Sequence, residues 1–176
     1  MSFIEKLVKI YKMRDEAHDI KFATEESACF DICAFIDYQA SVKSFNKNNE
    51  EVTKLVIQES DGRNFIEIPS EWRVLVPTGL IFDIPKNHCM KVYPRSGLST
   101  KKGLNLINSV GIIDSDYTEQ LFIPLYNNSQ ERLKIYNGDR IAQGQISILE
   151  NMQYEYTTER PIRKSDRNGG FGSTGV

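Results

Sequence analysis

Gln120-Leu121-Phe122-Ile123-Pro124-Leu125-Tyr126 and Ile141-Ala142-Gln143-Gly144-Gln145-Ile146-Ser147-Ile148 decide the fold. Each is a short run rich in β-branched and aromatic residues, the kind that pack on a pleated surface. The first closes on Asn127-Asn128-Ser129 and the second opens from Asn137-Gly138-Asp139, both made of residues that tolerate tight turns. Upstream, Val74-Leu75-Val76, Leu80-Ile81-Phe82 and Cys89-Met90-Lys91-Val92-Tyr93 repeat the pattern, with Pro77-Thr78-Gly79 between the first two. Strand-length runs punctuated every ten residues or so predict an antiparallel sandwich, barrel or jelly roll rather than an α/β sheet.

The remaining segments fit less simply. Phe3, Ile4, Leu7, Val8 and Tyr11 make a helical stripe, yet Val8, Ile10 and Lys12 also alternate as a strand would, so the first dozen residues stay open. Between Tyr38 and Trp72, Ser44-Phe45-Asn46-Lys47-Asn48-Asn49-Glu50-Glu51 reads as a polar loop. Lys54-Leu55-Val56-Ile57-Gln58 and Asn64-Phe65-Ile66-Glu67-Ile68 then flank Ser60-Asp61-Gly62 as a hairpin. After Tyr156 apolar periodicity fades. The expected organisation is one β domain over residues 1–157, with residues 38–72 as an inserted loop or hairpin, and a flexible arm over 158–176.

Composition sets the bounds. At 176 residues the chain is long enough for one domain with a real core. A net charge of −2 gives no bulk reason to expect nucleic acid or membrane as partner. No apolar run approaches the roughly 18–20 residues of a membrane span, and the N-terminus lacks the pattern of a signal peptide. Cys29, Cys33 and Cys89 form no CxxC, which fits a reducing, cytoplasmic setting (or the interior of a host cell) rather than a disulfide framework. His18 and His88 are too few for a structural zinc site.

Chemistry-bearing residues fall in loops and strand ends. Tyr93-Pro94-Arg95-Ser96-Gly97-Leu98 places a guanidinium and a hydroxyl on a turn, suited to phosphate oxygens. Asn108 to Tyr117 carries a carboxamide, Asp114, Asp116 and a tyrosine, spaced for a hairpin between two strands. Gly138-Asp139-Arg140-Ile141-Ala142-Gln143 runs from a turn into a strand, where Arg140 has Asp139 or a neighbouring carboxylate as partner. Ser27-Ala28-Cys29-Phe30-Asp31-Ile32 sets a carboxylate inside an apolar run. The terminal Arg167-Asn168-Gly169-Gly170-Phe171-Gly172-Ser173-Thr174-Gly175 combines exposed backbone N–H groups, two hydroxyls, a charge and one aromatic face. It matches GxGxxG formally, but no helix follows to make it a dinucleotide turn.

Taken in order, these segments resemble the five motifs of the trimeric deoxyuridine triphosphate nucleotidohydrolases, the dUTPases, from Phe22 to the C-terminus. The resemblance implies an all-β, jelly-roll-like β barrel, assembled as a homotrimer with shared active sites and a mobile C-terminal arm. It implies hydrolysis of dUTP to dUMP and pyrophosphate, with Mg2+ chelated by the triphosphate. Asp114 would activate the water that attacks the α-phosphorus. Asn108, with the backbone of Gly111 and Ile113, would read the uracil edge, and Tyr117 would lie against the deoxyribose. Arg95, Ser96, Gly97 and Gln143 would hold phosphate oxygens, and Asp31 would meet the metal through water. In the arm, Phe171 would stack on uracil while Arg167, Gly172, Ser173 and Thr174 close on the γ-phosphate. The chain departs from the family pattern at Cys29, where glycine is usual, and Thr118-Glu119 stands where the third motif normally turns on a glycine. The arm is also one residue short after Arg167. Two rivals are a dCTP deaminase of the same fold and a non-catalytic partner-binding protein built on it.

Overall fold

The computed structural model describes residues 7–38, 40–150 and 152–165. In chain order the strands begin with β1 (Lys9–Lys12), β2 (Lys21–Phe22), β3 (Phe30–Cys33), β4 (Ser41–Phe45), β5 (Glu51–Leu55), β6 (Ile57–Gln58), β7 (Asn64–Ile68) and β8 (Arg73–Pro77). They continue with β9 (Leu80–Asp83) and β10 (His88–Pro94), then a single helix, α1 (Ser96–Lys102). The last five are β11 (Leu104–Leu106), β12 (Gly111–Ile113), β13 (Phe122–Asn127), β14 (Leu133–Tyr136) and β15 (Arg140–Ile148). Every pairing is antiparallel. One five-stranded sheet runs β12-β10-β15-β3-β2 and the other β11-β13-β8-β4-β5, with β14-β7-β6 and β1-β9 completing the jelly-roll-like barrel.

Alternation explains why the second sheet has an inside. In β8, Val74 and Val76 are buried between partly exposed neighbours, and in β13 Ile123 and Leu125 do the same. Successive side chains of a strand point to opposite faces, so each buries one apolar row. These rows meet Ile32, Met90, Val92, Ile141 and Ala142 from the first sheet in one continuous core. Turn residues are drawn in where they satisfy the backbone. Asn127 is wholly buried, its amide donating to the carbonyls of Ile68 (2.8 Å) and Glu131 (2.7 Å) and its carbonyl accepting from Ser129. A buried carboxamide so bonded carries little desolvation penalty.

Three local expectations change. The segment 96–102, read as part of a turn, is α1; it ends on Gly103 in the left-handed region (φ 66°), whose N–H closes the last turn. Ser44 and Phe45 belong to β4, because pairing with β5 and β8 overrides their polar surroundings, and the loop narrows to Asn46–Glu50. There the Asn46 side-chain carbonyl accepts from the N–H groups of Asn48 and Glu50. The expected hairpin around Ser60-Asp61-Gly62 is present as β6–β7 and is carried by β14. At the N-terminus the open choice resolves to strand for Lys9–Lys12, paired with β9.

Gly144 shows how tightly the first sheet packs. A Cβ built there would lie 2.5 Å from the Phe30 ring and 3.2 Å from Ile32. Gly144→Ala is expected to destabilise the protein by about 1–3 kcal/mol through overpacking, measured by urea unfolding. An unchanged midpoint would contradict the packing described.

Candidate active site

Asp31 is buried, 5% exposed, on β3 between β15 and β2. A carboxylate in such a place must be paired. Arg95 donates from Nε to Oδ1 at 3.1 Å, and Arg140 donates from Nη1 to Oδ2 at 2.9 Å. Arg95 also donates from Nη1 to the carbonyl oxygen of Arg140 at 3.0 Å. Three separate segments, Ala28–Ile32, Pro94–Leu98 and Gly138–Gln143, are thereby knotted at one carboxylate.

Local structure supplies each partner. Arg95 caps α1 in an extended conformation and makes no side-chain cap; its carbonyl accepts from Leu98 and Ser99, leaving the guanidinium to reach Asp31. Ser96 and Gly97 follow it, both exposed, and nothing stands within 4 Å of a Cβ built on Gly97. Gln143 pairs with Asp31 on one side and Tyr93 on the other, so it shares their face of the sheet. The ladder slips between Arg140 and Ala142: Arg140 faces Cys33 while Ala142 faces Ile32. This bulge turns Ile141 and Ala142 both inward and brings Arg140 onto the face of Gln143, three residues away. Cys33 shares that face, and burial first, then the Asp31 charge, push its thiol up from the ordinary cysteine value. Cys29 has no positive φ, so replacing the family's glycine introduces no backbone strain.

The segment 108–117 lies, as expected, between two paired strands, β11 and β13, but its inner part does not stay in their sheet: β12 crosses over to pair with β10 in the other. Asn108 therefore sits on a tight turn that crosses between sheets, held by Ser109 N–H to Leu106 O (3.2 Å) and Val110 N–H to Asn108 O (2.6 Å), with Ser109 at φ 61°. Gly111 is buried, and a Cβ there would stand 3.5 Å from the Asn108 amide nitrogen and 3.3 Å from Val92. Ile113 closes β12, paired with Met90. Asp114 follows on an exposed turn, its carboxylate making no hydrogen bond among the described residues. Tyr117 is partly tied, its hydroxyl donating to Gln120 O at 2.9 Å.

Asp31, Arg95 and Gln143 are thus brought together with Ser96 and Gly97 beside them. Asn108, Gly111, Ile113, Asp114 and Tyr117 form a second group, and no hydrogen bond or ion pair links the two among the described residues. Arg167, Phe171, Gly172, Ser173 and Thr174 lie outside the described residues. Reading the sequence pairs Arg140 with Asp139 or a neighbouring carboxylate, and that carboxylate is Asp31; what it misses is that Arg140 joins the face of Gln143. Its spacing from Gln143 puts the two on opposite faces of a regular strand, and the bulge carries no sequence signal strong enough to reverse that.

No group of three or more His, Cys, Asp or Glu able to hold a metal stands among the described residues. Both Asp31 oxygens already accept from guanidinium groups. This donor set suits a magnesium ion that arrives on a triphosphate with its own waters, not one caged by the protein. No helix among the described residues is long and apolar enough to cross a membrane.

Comparison with known proteins gives a consistent result. The dUTPase family model matches residues 62–175. A deoxyuridine 5'-triphosphate nucleotidohydrolase of Finegoldia magna is 41% identical over 142 residues, covering 76% of this chain and 98% of its own. One from Treponema denticola is 42% identical over 105 residues, covering 59% and 72%. Among solved structures, dUTPase from Streptococcus mutans superposes with a TM-score of 0.62 at 23% identity, over 84% of this chain and 98% of its own. A mutant of Staphylococcus bacteriophage 80alpha dUTPase, solved with dUpNHpp, superposes with a TM-score of 0.70 at 18% identity, over 97% and 99%.

Proposed function

The chain belongs to the dUTPase family, and from that premise we propose that it hydrolyses dUTP to dUMP and pyrophosphate. The observation that carries the reading is the convergence of Arg95, Arg140 and Gln143 on the buried Asp31, with Ser96 next to Arg95 in the chain, an anion grip assembled from three distant segments. Phosphoryl transfer asks the protein mainly for positioning and charge stabilisation, which such a set of donors supplies. Gly97 supports it: nothing among the described residues crowds the place of its missing Cβ, and a close ligand is a reason for a glycine there.

Asp114 acts as general base. A carboxylate can accept a proton from water without help from a metal. It orients that water in line with the α-phosphorus, and pyrophosphate leaves. Asn108 and the backbone of the crossing turn at Gly111 and Ile113 read the uracil edge. Mismatched bases leave buried polar groups unpaired, at about 1–3 kcal/mol each. Tyr117, its hydroxyl tied to Gln120, presents its ring to the deoxyribose and excludes a 2'-hydroxyl. Magnesium chelated by the triphosphate would offset its charge, and Asp31 would hold the waters of that ion over the lone pairs left free by the two guanidinium groups.

The site completes itself between copies of the chain, in a homotrimer. The run after β15 supports this, where Tyr154, Tyr156 and Ile162 are almost wholly exposed. Apolar side chains so displayed fit contact with a neighbouring copy. The arm over residues 158–176 closes on bound nucleotide, with Phe171 over the base and Arg167, Gly172, Ser173 and Thr174 at the γ-phosphate.

Three outcomes are expected. Pyrophosphate release is expected to be specific for dUTP over dTTP, dCTP and UTP, and Asp114→Asn to lower kcat by about 10²–10⁴-fold with nucleotide affinity kept. Near-normal turnover in that variant, or ammonia release from dCTP, would contradict the assignment. Gly97→Ala is expected to keep or raise stability by up to about 1 kcal/mol, since alanine favours helix, while raising KM for dUTP. An unchanged KM would remove the ligand explanation for this glycine.

A further inference from the structure

An arginine facing a lone carboxylate normally closes a two-bond fork that uses both carboxylate oxygens and two of its own nitrogens. Arg95 does not. It meets Asp31 through Nε alone, because Oδ2 is already taken by Arg140. Its Nη1 is turned onto the Arg140 carbonyl, and Nη2 has no partner among the described residues. We infer that Arg140 is a positioning residue of the phosphate grip: by occupying Oδ2 it denies Arg95 the fork and keeps Arg95 Nη2 free for a phosphate oxygen. The inference rests on the reading of Arg95 as a phosphate ligand.

Charge and burial point the same way. The Asp31 side chain is 7% exposed, Arg95 23% and Arg140 55%, so the carboxylate lies innermost and both cations reach it from the open side. Two guanidinium groups on one carboxylate leave a net positive charge facing the place where a triphosphate would lie. When phosphate draws on Arg95, Arg140 still neutralises Asp31, so binding strands no buried charge. The bulge at Ile141–Ala142 is what allows this. A regular ladder sets residues three apart on opposite faces, and would put Arg140 away from both Asp31 and Gln143. Lys21, in register with Asp31 on β2, makes no ion pair with it, so Arg140 has no understudy among the described residues.

The test is titration of the assembled full-length protein with dUpNHpp and Mg2+, alongside steady-state kinetics. Arg140→Gln is expected to weaken dUpNHpp binding by about three- to tenfold, the range for a partly exposed charge acting through a buried one, with kcat at saturation nearly unchanged. Arg140→Lys, whose ammonium still occupies Oδ2, is expected to recover most of the affinity. Asp31→Asn combined with Arg140→Gln is expected to bind no worse than Asp31→Asn alone, since Arg140 acts through that carboxylate. Unchanged affinity in Arg140→Gln, or a loss that adds in full to that of Asp31→Asn, would overturn the inference. If Arg140→Gln does not fold, the comparison of Asp31→Asn with the double variant decides the matter in the same way. Wild-type protein is the control: if it fails to bind dUpNHpp the reading of the site falls, whereas normal wild-type binding with an unaffected Arg140→Gln removes only the role of Arg140.

Discussion

A carboxylate withdrawn from water between two guanidinium groups is the constraint from which the rest of the site follows. Alone, Asp31 would destabilise β3, because burying an unpaired charge costs several kcal/mol or forces its neutralisation. Its burial requires the N-terminus of α1 and the first turn of β15 to be in place, and each supplies one cation. Folding of the sheet and assembly of the anion grip are therefore one event. Burial, and after it the charge of the same carboxylate, push the nearby Cys33 thiol up from the ordinary cysteine value.

The second group obeys a different constraint. The turn bearing Asn108 is fixed by crossing from one sheet to the other, which ties its two ends to β13 and β10 rather than to each other. Both ends are anchored in the core, through Leu106 and Gly111, while the residues between them are exposed. A short loop held this way presents backbone groups at a fixed angle, a property suited to reading a base edge. Asp114 lies just beyond the same anchor, so the turn and this carboxylate are referenced to one strand, β12.

Much of this was legible in the sequence. The all-β class, the β6–β7 hairpin and the motif residues follow from strand-length runs, turn chemistry and the order of five short segments. What escaped was set by tertiary contacts. Ser96-Gly97-Leu98-Ser99-Thr100 is a poor helix by propensity, and forms α1 because Arg95 and Gly103 end it properly and Leu98 packs on the core. Ser41–Phe45 lacks a strong apolar run and becomes strand through its partners β5 and β8. The crossing at Asn108 escaped because nothing in the segment encodes that β12 leaves the sheet of its flanking pair, β11 and β13. The pairing of Arg140 with a neighbouring carboxylate was legible, but its place on the face of Gln143 was hidden by a bulge, which shifts side-chain direction without changing composition.

The account holds that this arrangement grips the outer phosphates and leaves the innermost phosphorus to a water aimed by Asp114. The most direct measurement is hydrolysis of dUTP by the full-length protein in oxygen-18 water, followed by mass analysis of both products. Attack at the α-phosphorus puts the label in dUMP and none in pyrophosphate. Label in pyrophosphate would mean attack at the β-phosphorus, and would contradict the geometry assigned to Asp114, Arg95 and Gln143 together.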